Sequence, residues 1–151
     1  MTYLSKLNPD KVLAEILDGK VTVQTSAERS HTIRAYANQE QPNKGLGDEF
    51  ITIQSNGSIR SLSKPMGLFR GYLAVTIMCK SHPDGRAKKQ RVESIIEQIE
   101  MLANEVSADG YYFEFTPDNV IVPTTTNLTI GYSTTVLNVG WHVTDEFYNN
   151  N

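Results

Sequence analysis

The side chains able to do chemistry are few and scattered. The chain of 151 residues carries three histidines, His31, His82 and His142, and a single cysteine, Cys79. No pair of histidines has the His-x-x-x-His spacing of a helical metal site, and one thiol cannot build a thiolate zinc site. A Gly-x-Ser-x-Gly nucleophile elbow is absent. Gly45-Leu-Gly47 starts a dinucleotide fingerprint, but position 50 is Phe and no helical pattern follows, so the segment reads as a loop. The sharpest pairing is His82-Pro-Asp84-Gly85, which could seat an imidazole beside a carboxylate at a strand-to-helix junction. Ordinary turn chemistry explains the same residues, with proline fixing φ and the aspartate capping the helix that follows. Cys79 continues an apolar alternation and reads as a small buried hydrophobe. Glu93, Glu97 and Glu100 share a helical face, but nothing supplies the remaining ligands a cation needs. The expectation is therefore no catalytic residue, no metal and no cofactor.

The elements that would carry these residues are clearest in the second half. Leu73, Val75, Ile77 and Cys79 alternate along a strand from Gly71 to Lys80, whose other face carries Tyr72, Ala74, Thr76 and Met78, a pattern that predicts a central strand. Val92, Ile95, Ile96, Ile99, Leu102, Ala103 and Val106 form one stripe of a long helix from Arg86 to Ala108, ended by Asp109-Gly110. Tyr111, Phe113 and Phe115 alternate in the next strand, Pro117 to Asn119 reads as a tight turn, and Leu137, Val139, Trp141 and Val143 share a face of the last strand. Toward the N-terminus, Asn8-Pro9-Asp10 opens a short helix with Val12, Leu13, Ile16 and Leu17 on its apolar face and Gly19 as its stop. A strand is expected from Val21 or from His31 to Ala37, and Asn38 to Asp48 reads as a polar loop.

Between these parts, Asn56-Gly57 lies between Phe50-Ile-Thr-Ile and Ile59-Arg-Ser-Leu, the strongest short hairpin signal. A two-residue turn there would pair Ile53 with Arg60 and Ile51 with Leu62. The loop after it carries three apolar residues expected to be exposed, Met66, Leu68 and Phe69. The whole is an α+β fold over residues 1–151: a mainly antiparallel sheet with one long helix across a face, a short N-terminal helix, a hairpin projecting at about 49–63 and a frayed tail at 149–151.

Composition bounds the partners. The net charge of −3 argues against tight nucleic-acid binding, and 39% hydrophobic residues suit a soluble domain with a real core. No signal peptide or membrane span is expected, and the single cysteine fits synthesis in a reducing cytosol, where the Asn127-Leu-Thr129 sequon is fortuitous. One feature breaks the local rules. Arg86, Lys88, Lys89 and Arg91 crowd the start of the long helix, where the macrodipole disfavours cations. Apart from plain solubility, a contact with an acidic neighbour would explain them, another subunit first and nucleic acid second.

Gly71-Tyr-Leu-Ala-Val-Thr-Ile, the helix after Pro-Asp-Gly-Arg-Ala, Asp109-Gly-Tyr-Tyr-Phe and Gly131-Tyr-Ser-Thr-Thr-Val-Leu-Asn-Val resemble, over roughly Tyr72 to Trp141, the tail terminator and tail completion proteins of long-tailed bacteriophages. The resemblance implies a non-enzymatic virion protein, made in the host cytoplasm. It would form a ring, commonly a hexamer, on the head-proximal end of the tail tube, stop tube growth and join the head–tail connector. DNA would pass through its channel without specific binding, and no membrane would be involved. Asn56, Gly57, Met66, Leu68, Phe69, Arg86, Lys88, Lys89 and Arg91 are the expected subunit or partner contacts. The competing expectations are another neck or baseplate component, a non-viral α+β binding module, and a small enzyme built on His82 and Asp84.

Overall fold

Proline costs no hydrogen bond at the first helical position, and Pro9 opens α1 (Pro9–Leu17) there. A computed structural model describes residues 6–38, 47–61, 69–84, 86, 88–104, 107–120, 131–144 and 147–148. Asn8 stands at the N-cap, yet its side chain is engaged elsewhere. Its Oδ1 accepts from the Tyr111 hydroxyl at 3.0 Å, and its backbone N–H donates to the same hydroxyl at 2.8 Å. Val12, Leu13, Ala14 and Leu17 are buried, and Gly19, at φ +72°, ends the helix in the left-handed region.

Among the described residues seven strands follow in chain order: β1 (Val21–Ser26), β2 (Arg29–Ala37), β3 (Glu49–Ser61), β4 (Phe69–Lys80), β5 (Ser107–Ala108), β6 (Tyr111–Val120) and β7 (Tyr132–Val143), with α2 (Lys89–Ala103) between β4 and β5. They form one sheet in the order β1-β2-β3-β4-β7-β6-β5. β2 and β3 run parallel and every other neighbouring pair antiparallel. The β4–β7 register is unbroken from Arg70↔His142 to Lys80↔Tyr132, and β4 is central as its two apolar faces imply. Alternation along each strand sends Val21, Ile33, Ile51, Val75, Phe113 and Val139 to one face, where they pack with Leu13, Leu17, Ile95 and Ile99 of the two helices. Gly71 is required on this face: a Cβ there would lie 3.0 Å from the Trp141 indole paired with it.

Several expected boundaries move. The long helix is Lys89–Ala103 rather than Arg86 to Ala108. At its start Asp84 Oδ1 accepts from the Arg86 N–H at 3.1 Å, and His82 N–H donates to Arg86 O at 2.8 Å, so Arg86 is bonded back to His82 and Asp84 and stands outside the helix. At its end Asn104 swings to extended backbone and its side chain accepts from Phe115 N–H at 3.3 Å. Asp109 and Gly110, at φ +53° and +83°, are then the two-residue turn joining β5 to β6 rather than the helix stop. The asparagine–glycine turn at 56–57 is not formed. Ile51 pairs with Ile77 and Ile53 with Val75 of β4, and β3 continues to Ser61. Folding back at Gly57 would strip both isoleucines of the β4 ladder that buries them completely. Gly57, at φ +84°, instead begins a bulge in which residues 57–59 stand opposite Gly71 alone. Met66, Leu68, Val106 and the 149–151 tail lie outside the described residues, while Phe69 is a half-buried member of β4 packed on the core. Pro117 to Asn119 likewise lie within β6, where residues 116–119 stand opposite Asn138 alone.

Truncating Ile99, which has no exposed surface, to alanine should cost about 2–5 kcal/mol in urea unfolding. Met101→Ala on the outer side of the same helix, 82% exposed, should stay within about 0.5 kcal/mol of the parent protein.

Candidate functional site

The residues singled out for chemistry do not converge. His82 and Asp84 are both exposed. The Asp84 carboxylate is occupied by Arg86, whose Nε donates to Oδ2 at 2.6 Å, and it does not cap α2, where Lys88 stands at the N-cap with no side-chain bond. Cys79 is fully buried, and burial first, then the charge of Glu49, pushes its thiol up to about 11. A thiol of that kind stays protonated at neutral pH and is a poor nucleophile. Among the described residues no group of three or more His, Cys, Asp and Glu is arranged to hold a metal.

The strongest electrostatic feature is a residue that strand alternation alone would have placed inward. Glu49 opens β3 at the same parity as Ile51 and Ile53, so its carboxylate points into the core and has no exposed side-chain surface. Oε1 accepts from Arg91 Nη1 at 2.6 Å, and Oε2 lies 2.9 Å from His31 Nε2. One carboxylate thus ties β3, the first turn of α2 and β2 together. It also answers the misfit of cations at that helix start: the acid that offsets Arg91 belongs to the same chain, as does the acid beside Arg86. Among the described residues, Lys88 and Lys89 have no ion pair, Lys88 half-buried and Lys89 exposed.

The second feature is the other face of the sheet. Both helices lie on the apolar side, and no described element lies on the opposite one. Register sets its rows: Phe50, Met78 and Thr134 at one end, then Thr52, Thr76 and Val136, then Gln54, Ala74 and Asn138. Asn56, Tyr72, Gly140 and Glu114 form the next row, and Arg70, His142 and Tyr112 the last. Tyr72 is 48% exposed, and its ring lies over Gly140, with Cε1 3.7 Å from the point where a Cβ would sit. Tyr112 and His142 stack with centroids 5.1 Å apart, and His142 Nδ1 is 3.7 Å from Glu114 Oε1. Asn56 Nδ2 donates to Asn138 Oδ1 at 3.2 Å across β4. The face is amphiphilic: aromatic and aliphatic rows alternate with amides and opposite charges.

The β1 margin of the sheet is finished by side chains. Gln98 of α2 accepts from Thr22 N–H at 2.7 Å and donates to Thr22 O at 2.8 Å, which is how a neighbouring strand would treat that residue. Asp18 takes the Ala35 N–H at 3.0 Å and Arg34 Nε at 2.8 Å. Partial burial alone would raise the Asp18 carboxyl, but the bonds from Arg34 and Ala35 outweigh it and hold the group below its ordinary value of 3.8.

Because the folded Asp18 binds its proton less readily than the unfolded one, its stabilisation is present above pH 3.8 and is lost as pH falls below that value. Asp18→Asn should therefore be less stable than the parent at pH 7, with the gap closing in acid when both are unfolded by urea. Arg91→Ala should cost about 3–5 kcal/mol by leaving the buried Glu49 carboxylate without its guanidinium and with His31 as its one remaining partner, whereas the double change Glu49→Leu with Arg91→Met should recover most of that loss. Compared with known families and with curated proteins, the sequence matches no family model and no curated protein.

Proposed function

We propose that the protein is a structural, non-enzymatic component of a bacteriophage tail. In this reading it forms a ring at the head-proximal end of the tail tube, ends tube growth and joins the tail to the head connector. The observation that carries the proposal is the two-sided sheet: one face sealed by both helices, the other amphiphilic and covered by no described element. Such a face is stable in water but gains by burial against another protein surface, as subunits of a ring require. The scattered histidines, the raised thiol of Cys79 and the engaged Asp84 support a non-enzymatic role. The resemblance of Gly71 to Ile77, Asp109 to Phe113 and Gly131 to Val139 to tail terminator proteins supplies the place in the virion. A net charge of −3 suits a channel through which DNA slides without sticking. The contacts proposed for this assembly are Asn56 and Gly57 on β3, the segment carrying Met66, Leu68 and Phe69, and the helix start with Lys88 and Lys89.

A second reading uses the same face differently. Exposed Tyr72 beside Gly140 and the Tyr112–His142 stack would also suit a non-viral binding module that stays monomeric. Mass in solution separates the two. Light scattering of the protein alone and with tail tube protein should give a closed ring of about six copies, visible by electron microscopy. A monomer unchanged by tube protein overturns the ring reading.

Charge reversal at Lys88 and Lys89 leaves the Arg86–Asp84 and Arg91–Glu49 pairs in place. It should raise the concentration for half-maximal assembly by about tenfold at low salt and less at high salt, with unfolding unchanged. Equal assembly by parent and variant would return these lysines to plain solvation.

A further inference from the structure

Asn56-Gly57 did not make the turn its sequence suggested, and its conformation gives it a different capability. It is the one asparagine in the chain followed by glycine. We propose that Asn56 is a self-modification site, at which the protein converts its own asparagine to aspartate and isoaspartate with water as the only co-reactant.

The step is an intramolecular acyl transfer. The backbone nitrogen of Gly57 attacks Cγ of Asn56, the new N–C bond closes a five-membered succinimide, and the Cγ–Nδ2 bond breaks. Ammonia leaves, carrying the proton lost from the Gly57 nitrogen. Water then opens either carbonyl of the ring, giving an ordinary aspartate or an isoaspartyl linkage in which the main chain runs through the former side chain. No electrons are gained or lost. Effective concentration favours this route, since nucleophile and electrophile are adjacent residues.

The local structure permits it at Asn56, where Asn8, Asn104 and Asn138 are held. Both Asn56 and Gly57 are exposed, and apart from its two chain neighbours no heavy atom of the described residues lies within 4 Å of the point where a Gly57 Cβ would sit. The ladder to β4 is irregular between Asn56 and Arg60, and Gly57 sits at φ +84°, which glycine adopts without strain. Among the described residues, the side-chain amide of Asn56 meets only Asn138 Oδ1, in an exposed 3.2 Å contact too weak to hold it fixed. Asn138 itself precedes Val139 inside the unbroken β4–β7 ladder, Asn104 precedes Glu105, and Asn8 precedes Pro9, whose nitrogen has no proton to lose. Each product changes the surface. The aspartate adds a negative charge in the row of Tyr72 and Gly140, and isoaspartate adds a methylene to the backbone of β3 at its bulge.

The purified full-length protein, aged at neutral and at mildly alkaline pH, provides the test. Peptide mapping by mass spectrometry reports conversion at each asparagine, and methylation by an isoaspartyl methyltransferase reports the isoaspartyl product. Residue 56 should convert roughly tenfold faster than Asn104 or Asn138, faster still at the higher pH, with isoaspartate among the products. Asn56→Gln should abolish the methylation signal from that peptide, and the urea-unfolded chain gives the unrestrained rate. If residue 56 stays an amide in the folded protein while the unfolded chain converts, the bulge protects rather than permits, and the proposal fails. Conversion at Asn104 or Asn138 at an equal rate in the folded protein would overturn it as well.

Discussion

A carboxylate with no exposed surface cannot stand alone in a protein interior, and Glu49 sets that requirement for this fold. Desolvating the charge costs several kcal/mol unless cationic or hydrogen-bonding partners reach it, at distances such as those of Arg91 and His31. The requirement is geometric as much as energetic. It fixes the rotation of α2 about its own axis, because Arg91 must point inward while Val92 and Ile95 face the sheet. It ties the early part of β2, at His31, to the start of β3, the one parallel pairing among the described strands. A comparable knot holds the far corner, where the Tyr111 hydroxyl binds Asn8 and its ring meets Phe147 and Trp141 edge-on. Helix α1 and the residues after β7 are thereby pinned to the same side chain. Gly110 makes room for that crossing, since a Cβ there would fall 2.2 Å from the Phe147 nitrogen.

Between the two anchors the sheet separates its duties by face. The apolar side takes up both helices, so the chain has no third described element left for the opposite side. What that side displays is neither a sealed core nor a plain polar surface. A face of this composition is tolerable in a monomer and improved by cover, the thermodynamic condition for a subunit that is soluble when made and stable once assembled.

Much of this was legible in the residues themselves. The alternation of β4 and β7, the Pro9 start of α1 and the apolar stripe of α2 from Val92 to Ala103 rest on local periodicity and local chemistry, and these appear as the pattern implies. The misreadings share a cause: a local signal was overridden by a partner distant in sequence. Asn56-Gly57 has the chemistry of a tight turn, but Ile51 and Ile53 bury more surface on β4 than a short hairpin could offer. Asp109-Gly110 has the same chemistry and does form the turn, because β5 and β6 have no better partner at that point. The cations at the start of α2 looked unmatched because Glu49 lies 42 positions from Arg91. A charged residue at the inward parity of a strand was the available clue, and it was hidden by starting the strand one residue later, at Phe50. The face opposite the helices has no sequence signature of its own, since half-polar alternation reads the same whatever lies beyond it.

The Gln98 contact has a consequence for how copies of this chain can meet. By donating to and accepting from Thr22 at once, a single amide occupies the position another backbone would take, and Asp18 does the same at Ala35. The sheet therefore has polarity in its capacity for growth: at β1, addition of a foreign strand must first evict bonds that are already made. An open-ended sheet running from molecule to molecule needs two receptive margins, and this one withholds the first. The endless edge pairing that makes fibres is thereby opposed at this margin, by the same two side chains that finish the sheet.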